Sequence, residues 1–162
     1  MFSHVVIGAD DTEQAKKFYD ATLGALGIDP GFMDDTGRVF YRTENGLFAI
    51  TKPLNGEPAS GGNGSTIGFS AVNAEQCDAW HEAGLANGGT AIEDPPGVRE
   101  SGEMKMYLAY LRDPAGNKVC TLHRMTGARV NAPLVKDIII NIISLFNISK
   151  DKNDDLLKVD TN

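Results

Sequence analysis

The sequence predicts an α+β fold made of two tandem copies of one βαβββ module. Three observations carry this. The chain of 162 residues repeats itself at a shift of 62 positions. Both copies carry the same helix-start signature, and both close on turn chemistry that joins short strands.

The repeat sets His4-Val5-Val6-Ile7 on Thr66-Ile67-Gly68-Phe69 and Asp11-Thr12-Glu13-Gln14 on Asn73-Ala74-Glu75-Gln76. Phe18 falls on Trp80, Leu23 on Leu85 and Gly27 on Gly89, without a gap. Asp11 and Asn73 are N-cap residues whose side-chain oxygens can accept free backbone N–H groups, with Gln14 and Gln76 in capping-box position. Ala15, Phe18, Tyr19, Thr22, Leu23 and Leu26 form an apolar stripe at helical spacing, repeated more weakly by Cys77, Trp80, Gly84 and Leu85. Gly27 and Gly88-Gly89 end the helices, since glycine accepts the left-handed conformation found there.

A strand precedes each helix, at 2–8 and 66–72, both rich in β-branched and aromatic residues. Three strands follow each. The first copy places them near Phe32, at 38–43 and at 47–52, the last two joined at Glu44-Asn45-Gly46. The second places them at 90–93, 104–112 and 118–123, the last pair joined through Asp113-Pro114-Ala115-Gly116-Asn117. Modules 1–54 and 64–126, separated by the turn-rich segment 55–64, make a first domain of 1–126. The remainder, 127–162, changes character: six of eleven isoleucines lie between 138 and 148, and Val135, Ile138, Ile139, Ile142, Leu145 and Phe146 keep helical spacing. An amphipathic helix over about 133–148 and a flexible end over 149–162 are expected there.

Composition narrows the function classes. Fifteen basic residues stand against 22 acidic ones, and no basic cluster interleaves with aromatics, so no nucleic-acid partner is expected. Cys77 and Cys120 make neither a disulfide framework nor a C-x-x-C motif, which suits a reducing cytoplasm. Neither a signal peptide nor an apolar run long enough for a membrane span is read from the chain.

The stretches FSHVVIGADDTEQAKKFYDATLGALG, GNGSTIGFSAV, PPGVR and YLAYLRDPAGNKVCTLH resemble the vicinal oxygen chelate superfamily, which includes glyoxalases, bleomycin-resistance proteins and extradiol dioxygenases. The resemblance implies paired βαβββ modules whose mixed sheets curl around a cavity, with the helices outside, and commonly a homodimer. Metal-binding members of the family bring ligands from the first and last strands of each module. Matched position by position, these fall on His4, on Thr66, on Ala49 or Ile50 with Thr51 nearby, and on Cys120, where such members usually carry Glu. A divalent ion wants three or four N, O or S donors. One good ligand in four is a poor metal site, so no cofactor is expected; a divalent metal held through His4 is the alternative.

Six residues are candidates for ligand binding. His4 points into the cavity if Val5 and Ile7 cover the helix, and would serve as a hydrogen-bonding group or general base. Thr51 and Thr66 offer hydroxyls. Arg99, read in the Gly/Pro-rich loop beginning at Asp94, could clamp a carboxylate or phosphate. Tyr107 and Tyr110 lie on opposite faces of one strand, and family analogy favours Tyr107 as the lining residue. Cys120 is a pocket thiol or a small buried hydrophobe. Tyr41 and Arg42 are further candidates. The leading function is a metal-independent small-molecule binding protein that sequesters a drug or metabolite. The alternatives are a metal-dependent lyase, isomerase or thiol transferase using His4, and a structural or regulatory dimer with a vestigial pocket.

Overall fold

The computed structural model describes residues 2–125, and the helix expected over 133–148 with its end at 149–162 lies outside them. Nine strands and two helices occupy the described residues. The order is β1 (His4–Gly8), α1 (Thr12–Ala25), β2 (Phe32–Met33), β3 (Val39–Thr43), β4 (Gly46–Thr51), then β5 (Ile67–Ser70), α2 (Ala74–Ala86), β6 (Thr90–Ala91), β7 (Gly97–Ser101), β8 (Met104–Arg112) and β9 (Lys118–Arg124). The first sheet runs β1-β4-β3-β2 and the second β5-β9-β8-β6, with β7 also paired to β8. In each, the strand before the helix pairs in parallel with the module's last strand, and the other pairings are antiparallel. This is the α+β class that the repeat predicts.

The duplication is also visible in hydrogen bonds. Gln14 N–H donates to Asp11 Oδ1 at 2.9 Å, and Gln76 N–H donates to Asn73 Oδ1 at 2.8 Å. Gln76 reaches back to accept from the Val72 N–H at 2.9 Å, one residue short of the usual capping-box partner. Phe18 and Trp80, equivalent by the repeat, are both fully buried. Gly27 and Gly88 take φ of +81° and +92° just beyond the helix ends. Leu85 departs from the expected stripe and is 45% exposed.

The second module corrects the sequence reading in two respects. Residues 97–99, expected in the loop that begins at Asp94, belong to β7, which adds a fifth strand to that sheet. The expected strand at 90–93 shrinks to Thr90–Ala91, because Glu93 takes a φ of 60°, where a strand cannot continue.

Core residues come from both helices and from alternate strand positions. Val39, Tyr41, Phe48 and Ile50 from the first sheet, and Ala109, Leu111 and Val119 from the second, pack with Phe18, Tyr19, Leu23 and Trp80. The Phe48 ring sits 4.9 Å from that of Tyr19 and 5.3 Å from that of Phe69, so one aromatic group joins the two modules. Val5 and Ile7 pack against this core. Since successive strand residues point to opposite faces, His4 and Val6 occupy the face turned away from the helices.

Candidate functional site

Strand register sorts the open faces into rows. On the first sheet Val6 pairs with Ala49, Ala49 with Phe40, and Phe40 with Phe32, an apolar row crossing all four strands. Val6 is 50% exposed and Phe32 69%. One row toward the β3–β4 turn, His4 pairs with Leu47 and Leu47 with Arg42. On the second sheet the row equivalent to Val6–Ala49–Phe40 is Gly68–Cys120–Tyr110.

This register decides among the residues proposed for a metal. Ala49 and Cys120 occupy equivalent places, because Val6 and Gly68, their partners, are 62 residues apart. Ile50 points the other way and is fully buried in the core. Thr51 shares the open face with His4 but pairs with Gly8 at the far end of β1, about 13 Å along the strand by the usual rise per residue. Its hydroxyl donates to the Lys52 carbonyl at 3.1 Å. Thr66 is exposed and precedes β5. Burial pushes the Cys120 thiol up to about 11 against a small opposing pull from Lys118, so the group is neutral at physiological pH. A divalent ion would therefore meet one imidazole, one exposed hydroxyl, a methyl group and a protonated thiol. The donor set does not fit, and among the described residues no three His, Cys, Asp or Glu side chains are grouped to share an ion.

The other candidates disperse. Arg99 lies on β7, not in a loop, and pairs across to Met106. Its guanidinium donates to the carbonyls of Pro95 at 2.9 Å and Val98 at 3.2 Å, with the Asp94 carboxylate 3.9 Å away. Tyr107, favoured by family analogy as a lining residue, faces α2 instead. Its hydroxyl donates to Asp78 at 2.8 Å, and its partner across β9, His123, lies 3.3 Å from the Ala71 carbonyl. Tyr110 takes the open face, beside Cys120, with the Lys118 ammonium 5.1 Å from its ring centre. Lys118 also pairs with Glu93. Tyr41 is buried in the core, and its hydroxyl donates to Asp20 at 2.9 Å.

A cavity of about 790 Å³ lies at the hairpin end of the first sheet, between the end of α1 and β5. Leu23, Leu26, Phe48 and Phe69 line it from the helix side of the sheet, and His4 and Arg42 reach its rim from the opposite face. Of the six expected ligand-binding residues, only His4 lines it; Thr51, Thr66, Arg99, Tyr107 and Cys120 do not. His4 is exposed, with Nδ1 2.9 Å from Ser3 Oγ. The rim formed by the end of α1 was not legible in the sequence, where Leu23 and Leu26 read only as helix core.

Paired modules of this topology, helices on one side and open sheet faces on the other, define a known class. The chain belongs to the Glyoxalase/Bleomycin resistance protein/Dioxygenase superfamily, which it matches over residues 1–121. A glyoxalase/bleomycin resistance protein from Albidiferax ferrireducens T118 is 61% identical to it, with a TM-score of 0.74, over 76% of this chain and 99% of that one. A family enzyme from Burkholderia phytofirmans PsJN is 19% identical, with a TM-score of 0.59, over 76% of this chain and 98% of that one. A lactoylglutathione lyase from Agrobacterium tumefaciens is 21% identical, with a TM-score of 0.54, over 75% and 93%. The last two likenesses are likenesses of fold. No match is found among the curated proteins. Among the described residues, no helix is long and apolar enough to cross a membrane.

Proposed function

We propose that this chain is a small-molecule binding protein of its superfamily that works without a bound metal, holding or sequestering a drug or metabolite. The observation that carries the reading is the fate of the four ligand positions. The positions that the resemblance matches to metal ligands carry His4, Ala49, Thr66 and Cys120: one imidazole, a methyl group, an exposed hydroxyl and a thiol that burial keeps neutral. The scaffold meanwhile keeps a cavity of about 790 Å³ with apolar walls and polar groups at one side. That size falls within the range of small-molecule sites, roughly 300–1,000 Å³. An excess of acidic over basic residues, 22 to 15, supports a small ligand over a nucleic-acid partner.

Elemental analysis of the purified full chain, with thermal shift against Ni, Mn, Zn and Co, tests the proposal. Substoichiometric metal and no stabilisation by any of the four ions is the expected result. Stoichiometric metal that disappears in His4→Ala would sink it.

A further inference from the structure

We propose that residues 92–96 form a strap clamped by charge over the open face of the second sheet, and that breaking the Glu93–Lys118 pair opens Tyr110 and Cys120 to small molecules in solution. Ladder register locates the segment. Ala91 pairs with Leu111 and Gly97 with Leu108, so residues 92–96 stand opposite only Ala109 and Tyr110. The surplus residues cannot stay in the ladder and bulge from the edge of the sheet.

The ties on this bulge come from the open face. Successive strand residues alternate between faces, which puts Lys118, Cys120, Tyr110 and Arg99 together on the side away from the helices. Lys118 pairs with Glu93 and holds its ammonium 5.1 Å from the Tyr110 ring centre. Arg99 donates to the Pro95 carbonyl at 2.9 Å and stands 3.9 Å from the Asp94 carboxylate. Two cations of one sheet face thus hold successive residues of the strap.

Glu93 carries the strain. Among the described residues it alone has a positive φ, 60°, without being glycine, a conformation that costs a residue with a Cβ. Such a residue persists where its surroundings hold it, and the Lys118 pair supplies that hold. Cys120 marks what lies beneath. Its cross-strand neighbours are Tyr110 and Gly68, and Gly68 has no side chain to cover it. Cys120 is nevertheless only 7% exposed, and the charges of Lys118 and Glu93 both act on its thiol, in opposite directions. The cover is therefore assigned to the lysine, the tyrosine ring and the strap.

The test is alkylation of the full chain by iodoacetamide, with peptide mass spectrometry separating Cys120 from Cys77, which is fully buried and reports global unfolding. Lys118→Met removes the charge and keeps a stem over Tyr110; Lys118→Arg keeps both. Loss of the Lys118 charge alone would raise the Cys120 pKa and slow its reaction, so acceleration reports access. Lys118→Met is expected to speed Cys120 labelling about fivefold or more, with Cys77 unchanged and Lys118→Arg close to the unsubstituted chain. Glu93→Gly removes the carboxylate at a φ that glycine accepts, and serves if Lys118→Met does not fold. It should raise Cys120 labelling together with hydrogen exchange at the Asp94 amide. Cys120 labelling within about twofold of the unsubstituted chain in both variants, or an equal rise in Lys118→Arg, overturns the inference. A rise that Cys77 matches in both variants reports unfolding and overturns it as well.

Discussion

The Tyr19 hydroxyl donates to the Asp113 carboxylate at 2.8 Å, linking α1 of the first module to the β8–β9 turn of the second. Asp113 is 4% exposed and also accepts from the N–H groups of Ala115 and Asn117 and from Asn117 Nδ2. Asn117 Nδ2 in turn donates to the Gly8 carbonyl at the end of β1, 3.0 Å away. One buried carboxylate thus holds its own turn and both modules together. Burial, reinforced by the neighbouring Asp113 charge, raises the Tyr19 hydroxyl well above its ordinary pKa, so it acts only as a donor.

Removing this carboxylate should therefore cost more than removing its tyrosine partner. Tyr19→Phe deletes one of several donors and is expected to cost about 1–2 kcal/mol. Asp113→Ala leaves three protein donors and the Tyr19 hydroxyl without an acceptor, and should cost about 3 kcal/mol or more. Urea denaturation of both variants checks the ranking; equal losses would show that the carboxylate acts only through its bond to Tyr19 and not on its own turn.

A pH dependence centres on Asp20. Burial acts to raise its pKa, but hydrogen bonds from Lys16, the Gly31 N–H and the Tyr41 hydroxyl outweigh this and hold the carboxyl below its ordinary value. A carboxyl lowered in the folded state contributes stability that is complete above its unfolded pKa, about 3.9, and is lost as pH falls through the folded value. Asp20→Asn should accordingly lose about 1–2 kcal/mol at pH 7. Its deficit against the unsubstituted chain should narrow below about pH 4. Denaturant midpoints at pH 7, 5 and 3 report the difference, and a deficit that stays constant would contradict it.

The same Asp20 cluster constrains Gly31. A Cβ at that position would stand 2.6 Å from the Tyr41 ring and 2.8 Å from Val39 Cγ1. Gly31→Ala should force the Tyr41 ring aside and destabilise the chain by about 1–3 kcal/mol. Since Tyr41 also lines the cavity, binding of an apolar probe should weaken in parallel with the lowered Tm. Unchanged binding at reduced Tm would mean that the ring shift stops short of the cavity.

The two thiols should be inert. Burial raises both Cys77 and Cys120, the latter to about 11, so the thiolate that reacts is scarce at neutral pH. Ellman's reagent at pH 7.5 is expected to modify the native chain at least about 100-fold more slowly than a free thiol, and to find both cysteines in denaturant. Rapid labelling of Cys120 would return it to the list of reactive pocket groups.

The architecture was legible because its signals are local. Asp11 and Asn73 cap helices through bonds that span three residues, and the stripe from Ala15 to Leu23 follows from helical periodicity alone. The site was less so. Parity shows that Tyr107 and Tyr110 face opposite ways, but which of them meets α2 depends on how the helix packs, and the Tyr107 hydroxyl on Asp78 settles that. Residues 97–99 carry Gly97 and follow two prolines, features that read as loop; pairing with β8 makes them part of a strand.

By itself the sequence determined the α+β class, the duplicated module, the helix starts and the placement of His4 opposite Val5 and Ile7. Each of these depends on residues within a few positions of one another, or on the likeness of the two copies. Only the tertiary structure decided that Ala49 and Cys120 are equivalent, that Thr51 lies a strand's length from His4, and that His4, Leu47 and Arg42 share a row on the face away from the helices. Cross-strand register and the packing of α1 against both sheets set those neighbours, and no window along the chain contains that information.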